Sequence, residues 1–192
     1  NYKILHELLE AAAAKKDAPL GSDDQKVGDF YRSGMDTAAI EKAGLSPLKP
    51  WLDRIDAIKT PEDVLNEIIK QHTEGIGGVF SFYVSPDDKN VTKQICQVFQ
   101  GGLGMPDRDY YFSLDTRTIK IREDYKLYVN QIFKLQGQDF ETVAKNTAAI
   151  LNLETALAKA SMTRVEMRDP YKLYNKFSLA SLSQKTPNMN WS

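Results

Sequence analysis

Helical periodicity constrains the fold of this 192-residue chain more than any other feature. Near the start, apolar residues recur three or four positions apart, the spacing of one face of an α-helix, at Ile4, Leu5, Leu8, Leu9 and Ala12. Two longer stretches repeat the pattern, from about Thr116 to Leu135 and from about Asp139 past Ser161. Because 42% of the residues are hydrophobic, a real core can form. We therefore predict a mainly α fold of about eight helices.

Start and stop signals predict further helices between these stretches. Thr60 offers a cap and is followed by proline at the first helical position and by two acids in the first turn. Ser22 and Ser178 are cap candidates for two other helices, and Gly44 ends a short helix that begins near Asp36. These signals indicate a chain of helices joined by short loops.

Residues 79–84 do not follow the helical pattern, because their apolar side chains alternate along the chain after a glycine-rich stretch. This pattern predicts one strand or extended segment, closed by a Ser-Pro-Asp-Asp turn. A single strand is not stable alone, so we expect its partner outside this stretch or outside this chain. The glycines do not indicate a phosphate-binding loop, since no G-K-[S/T] follows them.

Composition and charge exclude several classes of partner. A net charge of −1 gives no electrostatic case for nucleic acid. No apolar run is long enough for a transmembrane helix, and no basic-then-apolar leader is present, so we expect neither in this chain. Cys96 is the only cysteine, which excludes an intrachain disulfide. We predict that Cys96 is a small buried apolar side chain.

The stretch His6–Glu10 reads H-E-x-x-E, which differs by one residue from the H-E-x-x-H helix of zinc peptidases. His6 and Glu10 share a helix face, but a zinc site needs further ligands and His72 is the only other imidazole. We therefore predict a solvated helix face there. The H-x-E spacing at His72 is also found in zinc deaminases, whose cysteine pair this chain lacks.

The most specific stretch is the glycine loop, which we define as residues 100–112, QGGLGMPDRDYYF. Its glycines permit positive φ and close approach of the backbone, its proline fixes the exit, and its aromatic residues can anchor it. The arginine and aspartate offer a charge pair that can tie the loop backbone. We predict a structural loop clamped onto a helical core, rather than a substrate-contacting one, built by Gly101, Gly102, Gly104, Pro106, Arg108, Asp109, Tyr110 and Tyr111.

Four stretches of the chain, in the same order, resemble the neprilysin and endothelin-converting-enzyme family of zinc metalloendopeptidases. They are VGDFYRSGMDTAAIEKAGLSPLKPWLDRID, FSFYVSPDDKN, GGLGMPDRDYY and LNLETALAKASMTRVEMRDPYKLYNKFSLASL. The resemblance covers nearly the whole chain. Animal members carry several disulfides, so the single cysteine makes this sequence more similar to the bacterial branch.

The resemblance implies that residues 1–192 form a single helical, non-catalytic N-terminal lobe of a two-lobed peptidase. The other lobe, similar to thermolysin, would carry H-E-x-x-H, E-x-x-x-D and N-A-[F/Y]-Y. None of these motifs occurs here, so the resemblance implies no catalytic, metal-binding or cofactor-binding residue in this chain and zinc bound outside it. The implied role is a lid that encloses the zinc site and admits peptides. The F-x-x-L-R stretch of the family, whose arginine lies near the substrate pockets, would fall just before Asn1.

The implied partners are the catalytic lobe and, through the parent enzyme, peptide substrates. The implied location is the bacterial envelope, periplasmic or extracellular, with the cytoplasm left open. A second hypothesis is a stand-alone helical scaffold that binds peptides or proteins without catalysis. The abrupt ends of the chain and the lone predicted strand favour the first hypothesis, because both suggest a piece of a longer protein. An active enzyme within these residues would need ligands that the sequence lacks.

Overall fold

A computed structural model describes residues 1–189 and 191, and 61% of these residues are helical. The predicted mainly α fold is confirmed, since eight helices of seven or more residues occur in this part. These eight are α1 (Tyr2–Ala14), α2 (Asp23–Met35), α3 (Thr37–Ala43), α4 (Lys49–Asp56), α5 (Pro61–Thr73), α7 (Thr116–Leu135), α8 (Phe140–Ala160) and α10 (Leu179–Lys185). Two single-turn helices, α6 (Asp109–Phe112) and α9 (Pro170–Leu173), and two 3-10 turns, Ser46–Leu48 and Glu166–Arg168, complete the helical elements.

The predicted start signals act as expected at the helix ends. Thr60 and Asp63 form a reciprocal capping box at α5, and the Ser22 and Ser178 hydroxyls accept from the backbone of α2 and α10. One boundary was predicted too long. Helix α8 ends at Ala160, because Ser161 adopts an extended backbone conformation and caps the helix.

The extended segment is longer than predicted and has its partner in the same chain. Strand β1 (Phe80–Asp87) pairs antiparallel with β2 (Asn90–Gln100), with a register irregularity next to the turn. Of the two alternatives, a partner outside the stretch and inside the chain is the one observed, and the segment after the turn was not recognised as a strand. Because the strand has a partner, it no longer supports the hypothesis that the chain is a piece of a longer protein.

The described residues divide into two compact units, Asn1–Asp56 and the part from Ala57 onward. In the first unit, α1 packs against α2 where Ala12 and Gly28 are both buried. A Cβ atom on Gly28 would lie 2.5 Å from the Ala12 carbonyl oxygen, far inside van der Waals contact. The two helices therefore approach each other more closely than any side chain at Gly28 would allow.

We expect Gly28→Ala to destabilise the helix pair by about 1–3 kcal/mol, because the new methyl group meets backbone that cannot rotate away. Alanine is the better helix former by about 1 kcal/mol, so intrinsic propensity alone predicts the opposite sign. The matched control is Gly34→Ala on the same helix, where nothing lies within 4 Å of the new Cβ. Thermal unfolding, followed by far-ultraviolet circular dichroism, shows whether Gly28→Ala lowers or raises the stability. Equal stability of the two variants would contradict the close approach.

In the second unit, α7 and α8 form an antiparallel pair. Val129 on α7 and Val143 on α8 are buried, and the fully buried Thr147 hydroxyl donates to the Asn130 side-chain oxygen at 2.7 Å. Further along the same two helices, Tyr125 on α7 meets Glu154 on α8. This pair forms the platform on which the glycine loop rests.

Candidate functional site

The glycine loop lies on α8, and its aromatic residues enter the local core. Met105 and Tyr111 are buried with Ala158 of α8, and partly buried apolar side chains pack around this cluster, among them those of Leu103, Tyr110, Ile121 and Tyr125. Gln100 is the first residue of the loop, and its side-chain amide exchanges two hydrogen bonds with the Met162 backbone, at 2.8 and 3.2 Å. The loop is therefore held at its entrance and in its middle.

A buried carboxylate organises the centre of this arrangement. Glu154 is only 9% exposed and accepts hydrogen bonds from two tyrosine hydroxyls, Tyr111 at 2.7 Å and Tyr125 at 2.8 Å. The Tyr111 hydroxyl in turn accepts from the Met105 backbone N–H at 3.2 Å. Hydrogen bonds to a charged acceptor are stronger than neutral ones, and a buried carboxylate without them is costly. We call Glu154, Tyr111 and Tyr125 the carboxylate clamp.

The protonation of the clamp tyrosines is fixed by their surroundings. Burial raises the pKa of Tyr111 to about 12, and the bond to Glu154 acts in the same direction. Burial and the same carboxylate also raise the pKa of Tyr125 above its usual value. Both hydroxyls therefore remain protonated donors at neutral pH, which suits a structural clamp. A proton-transfer group would need a pKa near the working pH instead.

The three loop glycines meet different steric requirements. Gly102 alone of the three has a positive φ, +77°, and a Cβ there would lie 2.8 Å from the Val79 Cα. The positive φ that all three glycines permit is therefore not used at Gly101 or Gly104. Gly104 is required for space, because a Cβ there would lie 1.9 Å from the Tyr125 hydroxyl oxygen of the carboxylate clamp. Gly101 is close to strand β1 but less tightly confined.

The charge pair proposed for the loop does not form between Arg108 and Asp109. Among the described residues, Asp107 is the loop acid in an ion pair, with Arg164 at 3.4 Å. The Asp109 backbone N–H donates to the Asp107 side chain, which turns the chain into the single-turn helix. Arg108 lies over the Phe112 ring, 5.5 Å from its centroid.

The arginine that ties the loop backbone is Arg122 of α7, which the sequence reasoning missed. Its Nη1 donates to the carbonyl oxygens of Tyr110 and Ser113, both at 2.8 Å. These two carbonyls flank the end of the single-turn helix, where backbone acceptors lack helical partners. The tie is therefore an ordinary C-terminal helix cap made from a distant residue.

A second buried carboxylate joins the hairpin to the later chain. Asp87, 1% exposed, ends β1 and accepts from the Tyr174 hydroxyl at 3.0 Å, from the Lys89 backbone N–H at 3.0 Å and from the Lys176 ammonium. The Lys176 bond is the main reason why the pKa of Asp87 falls to about 2. The Ser-Pro-Asp-Asp turn and the Tyr-Asn-Lys stretch are far apart in the sequence, and in the structure they are in contact through Asp87.

We expect this contact to give the fold an acid-sensitive component. The folded-state pKa of Asp87 lies below its ordinary value near 4, so its stabilisation is complete above that value and disappears as pH falls towards 2. Asp87→Asn should lower the melting temperature at neutral pH and flatten its fall on acidification. The exposed neighbour Asp88 provides the control, Asp88→Asn, which should follow the parent chain. Parallel melting curves for parent and Asp87→Asn between pH 2 and 5 would contradict the assignment.

The other residues singled out by the sequence lie apart from the loop. His6 and Glu10 form an exposed pair on α1, 3.3 Å apart, which confirms the predicted solvated face. His72 bonds the Phe80 carbonyl oxygen through Nε2 at 2.9 Å and packs on the Phe80 ring. Cys96 was predicted to be buried, but it is exposed on β2, because the two-stranded sheet has a face without a covering layer.

No group of three or more metal-ligating side chains occurs within residues 1–189 and 191. In the same part of the chain, no helix is both long and apolar enough to span a bilayer. In the carboxylate clamp and in the Asp87 contact the buried carboxylates are hydrogen-bonded to their partners, whereas Nε of Arg108 in the glycine loop is buried and has no hydrogen-bond partner among the described residues.

Comparison with known proteins gives this arrangement a family context. The model for the N-terminal region of peptidase family M13 matches residues 1–192. Endothelin-converting enzyme 1 of Bos taurus is 32% identical to this chain, and the match covers 100% of this chain and 26% of that enzyme. Endothelin-converting enzyme-like 1 of Rattus norvegicus is 30% identical, and the match covers 100% of this chain and 26% of that protein. The crystal structure of Mycobacterium tuberculosis zinc metalloprotease Zmp1 with an inhibitor has a TM-score of 0.83 at 30% identity, covering 98% of this chain and 28% of that one.

The fold and the matches together define the class as the mainly helical N-terminal region that the family model describes. The chain belongs to peptidase family M13. This confirms the family resemblance drawn from the sequence motifs. The chain spans about a quarter of the length of the relatives it matches.

Proposed function

We propose that this chain is the substrate-enclosing lobe of a bacterial zinc metalloendopeptidase that hydrolyses oligopeptides. In this proposal a C-terminal lobe carries the zinc ligands and the general base, and the present chain supplies no catalytic or metal-binding residue. It acts as a lid, because an enclosed site excludes bulk water and admits only substrates small enough to enter. The proposed location is outside the cytoplasm, in the periplasm or the extracellular space.

The observation that supports the proposal is the large solvent-accessible surface area of the chain. The chain exposes 14796 Å². A compact protein of its mass, 21.7 kDa, exposes roughly 9,000 Å². Two separate compact units of the observed sizes would expose only about 11,000 Å². A chain with this excess of surface is suited to packing against another structured body.

The exposed surface is also rich in large apolar side chains. Leu5 and Leu8 on α1, for example, are more than half exposed, although both belong to the apolar stripe that predicted the helix. Contiguous apolar surface of this kind usually marks an interaction site. The exposed apolar side chains favour the hypothesis of a lobe in a larger enzyme over that of a stand-alone scaffold. A stand-alone protein would need to bury such side chains or to have few of them.

The test is a comparison of this chain with the complete M13 polypeptide from the same gene. We expect the complete protein to hydrolyse a short quenched-fluorescence peptide and to lose that activity when zinc is chelated. Residues 1–192 alone should hydrolyse nothing. The same cleavage sequence placed in a loop of a folded protein should be cleaved at least about 100-fold more slowly than the free peptide, because enclosure excludes it.

Three outcomes would contradict the proposal in different ways. Chelator-sensitive cleavage by the mass-verified 192-residue chain would place the chemistry inside it. Equal cleavage of the free peptide and of the folded-protein loop would remove the enclosing role. A reading frame that ends soon after residue 192, together with peptide binding by the chain, would establish the scaffold alternative.

A further inference from the structure

The β1–β2 hairpin presents one face without any charged residue, although 27% of the chain is charged. Directly opposed residues of an antiparallel pair share a face, and the face repeats every second residue. By the observed register, this face consists of Phe80, Phe82, Val84 and Pro86 on β1 and Gln94, Cys96, Val98 and Gln100 on β2. Depletion of charge is typical of the core of a protein interface.

This uncharged face is covered at one end and open along the rest. At the covered end, the Phe80 ring packs on His72, with ring centroids 5.2 Å apart, and on Trp191 at 6.3 Å. Beyond Phe80 the covering stops. Phe82, Val84 and Val98 are 48%, 60% and 48% exposed, and Cys96 between them is exposed as well. We call Phe82, Val84, Cys96 and Val98 the hairpin patch.

The opposite face of the hairpin is different in character. There, the Tyr83 hydroxyl donates to the Gln97 side chain at 3.2 Å, and the Gln97 amide donates to the Ser85 hydroxyl at 2.5 Å. These cross-strand bonds satisfy polar groups that can remain in water. Ile95 and Phe99 also lie on this face, so it mixes polar and apolar side chains, whereas the hairpin patch is apolar apart from the Cys96 thiol.

We propose that the hairpin patch is an interface to the remainder of the M13 polypeptide, which buries it and shields the Cys96 thiol. This rests on the proposed function, because it names the surface through which the lobe joins its partner. The occupant is assigned by two observations. The relatives are about four times as long as this chain, and the chain exposes several thousand Å² more than compact units of its size.

The first experiment measures thiol alkylation in the complete M13 protein. N-ethylmaleimide is added to the native protein, and modification of the peptide that contains Cys96 is followed by mass spectrometry, with the denatured protein as reference. The internal control is Ser81→Cys, which introduces a thiol at an exposed position on the opposite face of β1. We expect Cys96 to react at least about tenfold more slowly than the introduced thiol, because a covered thiol must wait for local opening.

A second pair of variants tests whether the patch itself provides the protection. Val84→Asp places a charge in the hairpin patch and should raise the alkylation rate of Cys96 at least about tenfold, because an unpaired charge is not tolerated in an apolar interface. Val91→Asp is the matched control, since Val91 is 74% exposed and lies outside the paired register near the turn. It should leave the rate unchanged.

The inference is overturned if Cys96 and the introduced thiol react at the same rate. It is also overturned if protection of Cys96 disappears on dilution, because the occupant is then a second copy of the protein. Peptidase activity in the same samples separates this result from the proposed function. An active protein with a reactive Cys96 refutes only the interface, whereas an inactive protein with a protected Cys96 refutes only the enzyme.

Discussion

Gly102→Val should destabilise the chain by at least about 3 kcal/mol. A left-handed backbone costs a residue with a side chain about 1–2 kcal/mol, and β-branched valine tolerates it poorly. Overpacking adds about 1–3 kcal/mol, because the new Cβ would lie 2.8 Å from the Val79 Cα and 2.9 Å from a Leu157 methyl carbon. Both effects act on the segment that joins β2 to the helical core, so no single side-chain rotation relieves them.

The matched control for this substitution is Gly77→Val, which lies in the glycine-rich stretch before β1. Nothing lies within 4 Å of a Cβ at Gly77, and its φ is not positive. Each kcal/mol lowers the melting temperature of a chain of this size by roughly 2–4 °C, so the two variants should differ by at least about 6 °C. The same melting temperature in both would mean that the glycine loop is flexible rather than clamped.

Glu154→Ala should cost a similar amount, about 2–4 kcal/mol, by a different mechanism. The substitution leaves the hydroxyls of Tyr111 and Tyr125 without their acceptor in a region that excludes water, and each unsatisfied buried group costs about 1–3 kcal/mol. It also leaves a cavity beside the glycine loop. Because Gly104 lies against the same hydroxyl, we expect the loop to loosen together with the clamp.

The control is Asn152→Ala, on an exposed position of the same helix, which should change stability by no more than about 0.5 kcal/mol. The double variant Tyr111→Phe with Tyr125→Phe provides a further check. It removes both donors and leaves the Glu154 carboxylate buried without hydrogen bonds, so it should be at least as destabilising as Glu154→Ala. Hydrogen exchange at the Met105 amide reports loosening of the loop directly. Unchanged exchange in Glu154→Ala would show that the clamp does not hold the loop.

Local structure was predictable wherever the signal lies in neighbouring residues. Thr60 and Asp63 cap α5 as their spacing indicates, and the bounds of α7 agree with the predicted Thr116 to Leu135. Strand β2 was missed because its stretch KQICQVFQ alternates only weakly between apolar and polar residues. Pairing with β1 determines its conformation, and pairing is not a local property.

The sequence alone determined the helical class, the helix boundaries set by caps and glycines, and the M13 family. All three depend on short stretches of adjacent residues, which can be recognised without knowing how the chain packs. Tertiary structure alone decided that Glu154 is the acceptor for two loop tyrosines, that Arg122 caps the loop and that Asp87 joins Lys176. The physical reason is that these contacts join residues up to 89 positions apart. Burial, which gives each carboxylate its importance, depends on how the whole chain packs, and the same packing left Cys96 on an open face.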